Sequence, residues 1–387
     1  MQDTGELRRR HVCSARRLVV KVGTNVLAPP SERHGAGQAG LDDVRVAAIV
    51  DQIASLVKDG RQVALVTSGA IGCGMAELGL KDRPTTLPGS QAAASVGQGV
   101  LMARYAEHFR RHGLHAAQIL LTHEDFDNRE RYLNASNTIH ALFELPCVPV
   151  INENDTISTA EIRFGDNDRL AALVTHLIRA ELLILLTSVP GLYAEPPRGG
   201  SPGKVIEVVQ PGDAGLEQLV YDEQTPLGMG GMRSKIEAAR VATEAGEAAV
   251  IADGGDPGIL RKVMAGEPVG TLFVPAAGKL PSYKRWIRYT SRPRGTVRVD
   301  AGARAALVGR GKSLLPSGIT GVEGDFQRGD AVRIVGPEGE EFARGLSNYS
   351  HNEVERIKGV HSGRIESILG YKYYDEVVHR DNLALLS

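Results

Sequence analysis

The chain is poor in cysteine. Cys13, Cys73 and Cys147 are its only three, far apart and without a CxxC pair, in 387 residues. That excludes a disulfide framework and a thiolate metal site, and it makes a reducing cytoplasm the natural compartment. Long apolar runs are missing too. The longest, 182–186 with its flanks, is far too short to span a bilayer, and the arginines near the N-terminus precede no apolar signal core, so no membrane is expected. Nor is there an excess of charge of one sign. With 45 Lys+Arg against 46 Asp+Glu the net charge is -1, which argues against a nucleic-acid coat protein and against an acidic disordered tail. The 11 histidines show no HExxH or comparable spacing, so no metal held by the protein itself is expected, and His108, His112 and His115 read as a helix end. Low-complexity repeats are absent, and the 45 glycines are spread over short turns, as suits a backbone that approaches a polyanion closely.

What is present is alternation of strands and helices. Segment 18–22 is apolar and β-branched and runs into a glycine turn; 46–57 has one apolar helical face and stops at Gly60; 63–67 is a second strand. The succession continues with helices at 91–112, 129–145, 169–179 and 232–245 and strands at 115–121, 148–151, 182–187 and 248–252. Continuously apolar strands between helices indicate an α/β fold, a three-layer α/β/α sandwich around a mainly parallel sheet. After Phe273 the texture changes to a Pro/Lys/Arg-rich link holding Trp286, and then to short β-like segments between glycine turns. The expected organisation is a frayed basic leader at 1–16, an α/β domain over 17–275, a basic linker at 276–294, a small β-rich domain over 295–375 and a tail at 376–387. Residues 276–387 carry 18 Lys/Arg against 13 Asp/Glu and are the basic part.

Ligands of open α/β sheets sit beyond the carboxyl ends of the strands, and the chemistry-bearing motifs all follow a strand or open a helix. Lys21 ends a buried strand before Gly23. Alone it reads more readily as a solvated rim charge. Gly228-Met229-Gly230-Gly231-Met232-Arg233-Ser234-Lys235 is a glycine-rich loop opening a helix with a second lysine one turn inside, a pattern that offers amides, a helix N-terminus and a point charge to phosphate. It is not a Walker A loop; the near miss at Gly311-Lys312-Ser313 has Ala306 where a glycine is required and reads as a surface turn. The turn 67–74 is a second anion cradle or a site of close helix packing against the sheet. Ser68 is no hydrolase nucleophile, because Gly-x-Ser-x-Gly is missing. Among the polar residues at 152–155 and 163–168, Asp155 is placed to hold an ammonium group. Two lysines, amide-rich turns and a few carboxylates suit phosphoryl transfer, which needs alignment and charge neutralisation. A carboxylate acceptor is already ionised near neutral pH and needs no general base, in keeping with the absence of an obvious catalytic histidine.

Segments 19–27, 67–70, 148–155, 165–168 and 228–235 together resemble the amino acid kinase family, in particular its members that phosphorylate glutamate, and 295–374 is similar to a PUA domain. The likeness covers nearly the whole chain. It implies transfer of the γ-phosphoryl group of ATP, with Mg²⁺ bound through the nucleotide phosphates, to the γ-carboxylate of L-glutamate as the committed step of proline biosynthesis, with proline as feedback inhibitor. Lys21 and Lys235 would hold the transferring group and Asp168 would orient both. Ser68, Asp155 and Asn167 would bind glutamate, and Lys21, Thr187, Ser188, Met229, Gly230, Gly231, Met232, Arg233, Ser234 and Lys235 would contact ATP. A homo-oligomer, dimer or tetramer, is expected. Three positions depart from the pattern: Ser188 for a frequent Asp, Pro197 for the Asp of an Asp-Pro-Arg element, and Arg163 for a frequent Lys, which keeps charge but changes geometry. Competing readings are a related kinase acting on another small carboxylate, carbamate or nucleotide, and an RNA-binding protein acting through the PUA-like part and the basic residues Lys279, Lys284, Arg285, Arg288, Arg292, Arg294 and Arg298.

Overall fold

The computed structural model describes residues 3–28, 40–158, 167–195, 203–213, 216, 231–276, 284, 287–288 and 292–386. The chain forms two compact units, 1–279 and 280–387. In the first, the strands are β1 (Arg17–Val22), β2 (Gln62–Thr67), β3 (His115–Leu121), β4 (Cys147–Glu153), β5 (Leu182–Thr187), β6 (Tyr193–Glu195), β7 (Lys204–Val205), β8 (Val208–Val209), β9 (Ala248–Asp253) and β10 (Thr271–Phe273). The helices are α1 (Thr4–Arg8), α2 (Thr24–Leu27), α3 (Asp43–Lys58), α4 (Ala70–Glu77), α5 (Leu87–Arg111), α6 (His123–Asp127), α7 (Arg129–Phe143), α8 (Asn167–Leu177), α9 (Met232–Glu244) and α10 (Ile259–Met264).

An eight-stranded sheet runs in the order β3-β4-β2-β1-β5-β9-β10-β8. Its first six strands are mutually parallel, as their unbroken apolar runs lead one to expect. β10 runs antiparallel to β9, and β8 parallel to β10. Alternation along each strand sorts the faces. Leu18, Val20 and Val22 of β1 join Ile53 of α3, Tyr105 of α5 and Leu260 of α10 in one core, while Val19 and Lys21 point to the opposite face. From β1 the chain goes to β2 on one side and later returns to lay β5 on the other. The strand order therefore reverses beside β1, and the carboxyl ends of β1 and β5 form the crevice where a doubly wound sheet binds its ligand.

Sequence signals explain most helix limits. Asp42 caps α3 by accepting from the amides of Val44 and Arg45 at 3.0 and 3.3 Å. Helix α5 begins at Leu87 rather than near Gln91, because Thr86 caps it and Pro88 occupies its first turn, where a missing N–H costs nothing. The glycine turn after β2 also acquires a reason. A Cβ on Gly74 would lie 1.8 Å from the carbonyl oxygen of Ala93, and one on Gly97 would lie 1.8 Å from that of Ala70, so α4 and α5 cross backbone to backbone. The close packing is helix on helix, not helix on sheet.

Two expectations at the chain ends need correction. Residues 1–16 are no frayed leader where described: α1 and a π-helical turn, Arg9–Cys13, bury Leu7 and Val12. Arg8 is 1% exposed and its guanidinium donates to the carbonyls of Val269 and Gly270 at 2.9 Å and of Glu207 at 3.2 Å. Those three acceptors keep a buried arginine hydrogen-bonded, the condition on which it can be buried at all. Residues 376–386 are likewise no separate tail. Val377 and Val378 are fully buried, Leu314 bridges to Val378, and β15 (Leu383–Leu385) pairs with β14 (Glu341–Leu346).

In the second unit these two strands join β11 (Gly295–Val299), β12 (Ile319–Gly324) and β13 (Ala331–Val335) in the sheet order β12-β11-β13-β14-β15. Its core is built from Val297, Phe326, Ile334, Tyr349, Ile357 and their neighbours.

Replacing Gly97 by valine should force α4 from α5. We expect a loss of about 1–3 kcal/mol or more from overpacking, read as a fall in Tm of several degrees by calorimetry.

Candidate active site

The carboxyl edge of the sheet gathers residues from strands β1, β2 and β4 and from helices α5, α8 and α9. Lys21, next to last in β1, shares a face with Val19, so its side chain runs from the strand toward α8 and α9. Its Nζ lies 2.5 Å from Oδ1 of Asp168, the second residue of α8. On the other oxygen of the same carboxylate, Lys235 Nζ donates at 3.0 Å and Ser234 Oγ at 2.9 Å, both from the first turn of α9. The Asp168 side chain is 0% exposed and those of Lys21 and Lys235 are 3% and 8%. Two ammonium heads from opposite sides of the crevice thus meet on one buried carboxylate, itself at a helix N-terminus that favours negative charge.

One residue earlier in α8, Asn167 serves the other half of the crevice. Its Nδ2 donates to the carbonyl of Thr67 at 2.6 Å, to Ser68 Oγ at 3.0 Å and to Asn152 Oδ1 at 2.8 Å. The ends of β2 and β4 are thereby tied to the start of α8. Asn152 Nδ2 in turn donates to Gln98 Oε1 at 2.9 Å, and Asn152 Oδ1 accepts from the amide of Glu153 at 2.9 Å. Beneath them Thr67 Oγ1 and Tyr105 OH share a hydrogen bond of 2.8 Å, and burial pushes the Tyr105 phenol well above its ordinary value, so it stays protonated. Farther along α5, Gln91 Nε2 donates to the carbonyl of Ser158 at 3.1 Å, and Ser95 Oγ meets Thr156 Oγ1 at 3.2 Å, which fixes the loop that carries Asp155.

The structure therefore brings Lys21, Lys235, Asp168 and Ser234 together, and brings Ser68 to Asn167. Asp155 is half-buried in the loop after β4. At the end of β5, Thr187 is half-buried and its carbonyl accepts from the amide of Gly254 at 2.7 Å, while Ser188 is exposed. Gly231 and Arg233 are exposed and Met232 half-buried at the start of α9, whose N-cap carries no side-chain hydrogen bond. Met229, Gly230, Arg163 and Pro197 lie outside the described residues. Sequence reasoning singled out Asn152 only as part of the polar stretch 152–155, and missed Gln98, Gln91, Ser95 and Tyr105 as parts of the site. Their spacing along α5, with Gln91, Ser95 and Gln98 at i, i+4 and i+7, was the available signal.

Several of the basic residues weighed for RNA are engaged inside the second unit. Lys284 Nζ donates to the carbonyl of Arg380 at 3.2 Å, Arg288 donates to that of Leu386, and Arg298 holds Glu323 at 2.9 Å.

A crevice that presents two lysines and a helix N-terminus at the switch point of a doubly wound sheet defines a phosphoryl-transfer class, and comparison gives its family. The chain belongs to the amino acid kinase family, whose family model matches residues 16–253, and a PUA domain model matches residues 295–369. Within that family its relatives are glutamate 5-kinases. The chain is 47% identical to that of Trichlorobacter lovleyi, over 98% of this chain and 100% of the relative, and 48% identical to that of Caldanaerobacter subterraneus subsp. tengcongensis, over 96% and 98%. It is 47% identical to that of Moorella thermoacetica, over 96% and 97%. Among solved structures, the UMP kinase of Bacillus anthracis is 16% identical, with a TM-score of 0.46 over 68% of this chain and 97% of that one.

Two substitutions separate the halves of the crevice. Asp168→Asn keeps the shape but leaves two ammonium heads without their shared anion, and should lower kcat by about two to three orders of magnitude in an ADP-release assay. Asn167→Ala cuts the ties to β2 and β4 and should mainly raise the KM of the acceptor by about 10-fold or more.

Proposed function

We propose that the chain transfers the γ-phosphoryl group of ATP to the γ-carboxylate of L-glutamate, giving ADP and γ-glutamyl phosphate, the committed step of proline biosynthesis. The observation that carries this reading is the pair Lys21 and Lys235 on buried Asp168 at the carboxyl edge of the sheet. The acceptor comes from the relatives' shared name.

The residues present fit a triphosphate. Lys21 and the first turn of α9 lie on either side of Asp168, so a phosphoryl group entering there meets ammonium N–H donors from both. The start of α9 adds backbone amides, and its N-cap, Gly231, has no side chain to cap them. Mg²⁺ is expected to come with the nucleotide, on its phosphates, and to neutralise charge there. Charge builds up on the transferring oxygens during reaction, and donors held in advance stabilise it without reorganising. On the acceptor side, Asp155 takes the α-ammonium of glutamate, and Ser68 with Asn167 orients the molecule for attack by its ionised γ-carboxylate. Thr187 and Ser188, at the end of β5, belong to the nucleotide side. Proline as inhibitor, a homo-oligomeric state and a cytoplasmic location follow from the same reading. No helix of the described residues is long and apolar enough to cross a membrane.

An ADP-release assay across glutamate, aspartate, N-acetylglutamate, carbamate and UMP tests the proposal: glutamate alone should support turnover, and no glutamate-dependent product would sink it. Within that assay Lys235→Ala should chiefly lower kcat and Asp155→Ala chiefly raise the glutamate KM by about 10-fold or more, whereas equal, mild effects of both would refute the assigned roles.

A further inference from the structure

Helices α8 and α9 both start at the reactive edge, and a second buried polar contact lies at the opposite one. His176, in the last turn of α8, has Nδ1 2.9 Å from Oε2 of Glu247, just past the end of α9, and both side chains are 0% exposed. Along α8 about 12 Å separate this contact from Asp168, at 1.5 Å per residue. Buried polar groups therefore meet at both ends of the pair: Asp168 with Ser234 and Lys235 at one, His176 with Glu247 at the other.

Between those ends the positions three and four residues on from Asp168 and from Lys235 are alanines. The buried residues of α9 include Ala238, Ala239 and Ala242, and those of α8 include Ala171 and Ala172. Short side chains make shallow ridges and grooves, so packing alone resists sliding of one helix along the other only weakly. A buried contact between polar groups contributes little net stability compared with apolar groups of the same volume, but drawing the two apart leaves each facing apolar surroundings, and that cost opposes sliding. Sliding or tilting α9 by about 1 Å would carry Lys235 Nζ off Asp168, and misplacement on that scale is enough to cost rate.

We infer that His176 and Glu247 are positioning residues that hold α9 in stagger against α8 and so set Lys235 against Asp168, an inference that rests on the proposed role of Lys235 in phosphoryl transfer. They act only through that lysine and touch no substrate.

The test is a coupling measurement on the full chain. His176→Asn and Glu247→Gln are made singly in the parent and in Lys235→Ala, and initial rates are read with radiolabelled ATP so that slow variants remain measurable. In the parent, each should lower kcat about 10-fold and leave the acceptor KM within about 2-fold. In the Lys235→Ala background the same changes should lower kcat by less than about 2-fold, because the group they position is gone. The neutral pair His176→Gln with Glu247→Gln, which can still meet by a hydrogen bond, should regain at least half of the parent kcat and guards against singles that fail to fold. Equal fold-losses in the two backgrounds, unchanged kcat, or a raised acceptor KM at full kcat would each overturn the inference. Rates are read with whichever acceptor of the panel the parent phosphorylates. Failure of the glutamate assignment then shows in the parent, and failure of the clamp shows only in the ratio between backgrounds.

Discussion

Everything at the carboxyl edge of the first unit depends on one fully buried carboxylate. Asp168 has Lys21 on one oxygen and Lys235 with Ser234 on the other. An isolated buried ammonium would be driven to lose its proton or to reach water, and an isolated carboxylate to gain one. Held together at a helix N-terminus, the three sustain each other, and the cost of burying them is met before any ligand arrives. The result is rigidity where flexible side chains would otherwise scatter. A lysine has a long stem and many rotamers, so pinning its head in advance removes an entropy loss that would fall on the reaction.

The neighbouring residue makes the arrangement economical. Asn167 and Asp168 are consecutive, yet their side chains serve different halves of the crevice: the amide ties the ends of β2 and β4, and the carboxylate ties β1 to α9. In the first turn of a helix successive side chains diverge by roughly 100°, so two adjacent residues can address two ligands. Four sheet and helix elements are thereby indexed to a single turn of α8. Any displacement of that turn would shift the proposed acceptor side and the lysine side together, preserving their mutual alignment better than two independent anchors could.

How much of this was legible follows the range over which each signal acts. Lys21 after an apolar strand and Lys235 inside a glycine-opened helix are local patterns, so these were readable, while the helix read as starting at Arg169 begins two residues earlier, at Asn167. The tie from Gln98 to Asn152 joins residues 54 apart in sequence, and a Gln-Ser-Gln stripe on a helix looks from sequence like a solvated face. Arg8 was misread for the same reason. A basic residue near an N-terminus looks like surface until its acceptors are known, and those are 199 to 262 residues away. The reversed direction of β10 was equally hidden, because a three-residue apolar strand carries no mark of its orientation.

The division of labour within the crevice also bears on why no histidine is needed there. An alcohol acceptor would have to lose a proton as it attacks, and a base of suitable pKa would have to stand within hydrogen-bond reach. A carboxylate acceptor arrives ionised, so the difficulty moves from proton transfer to repulsion between two anions brought together. Fixed positive charge answers that repulsion directly, and it works best where solvent is excluded and the charges cannot swing aside. The described part of the crevice meets those terms: its cations are buried, their heads are pinned by one carboxylate, and the polar groups around Asn167 are hydrogen-bonded to one another. The chemistry proposed and the electrostatics observed thus place the same demand on the fold, that two lysines be immobile before the nucleotide binds.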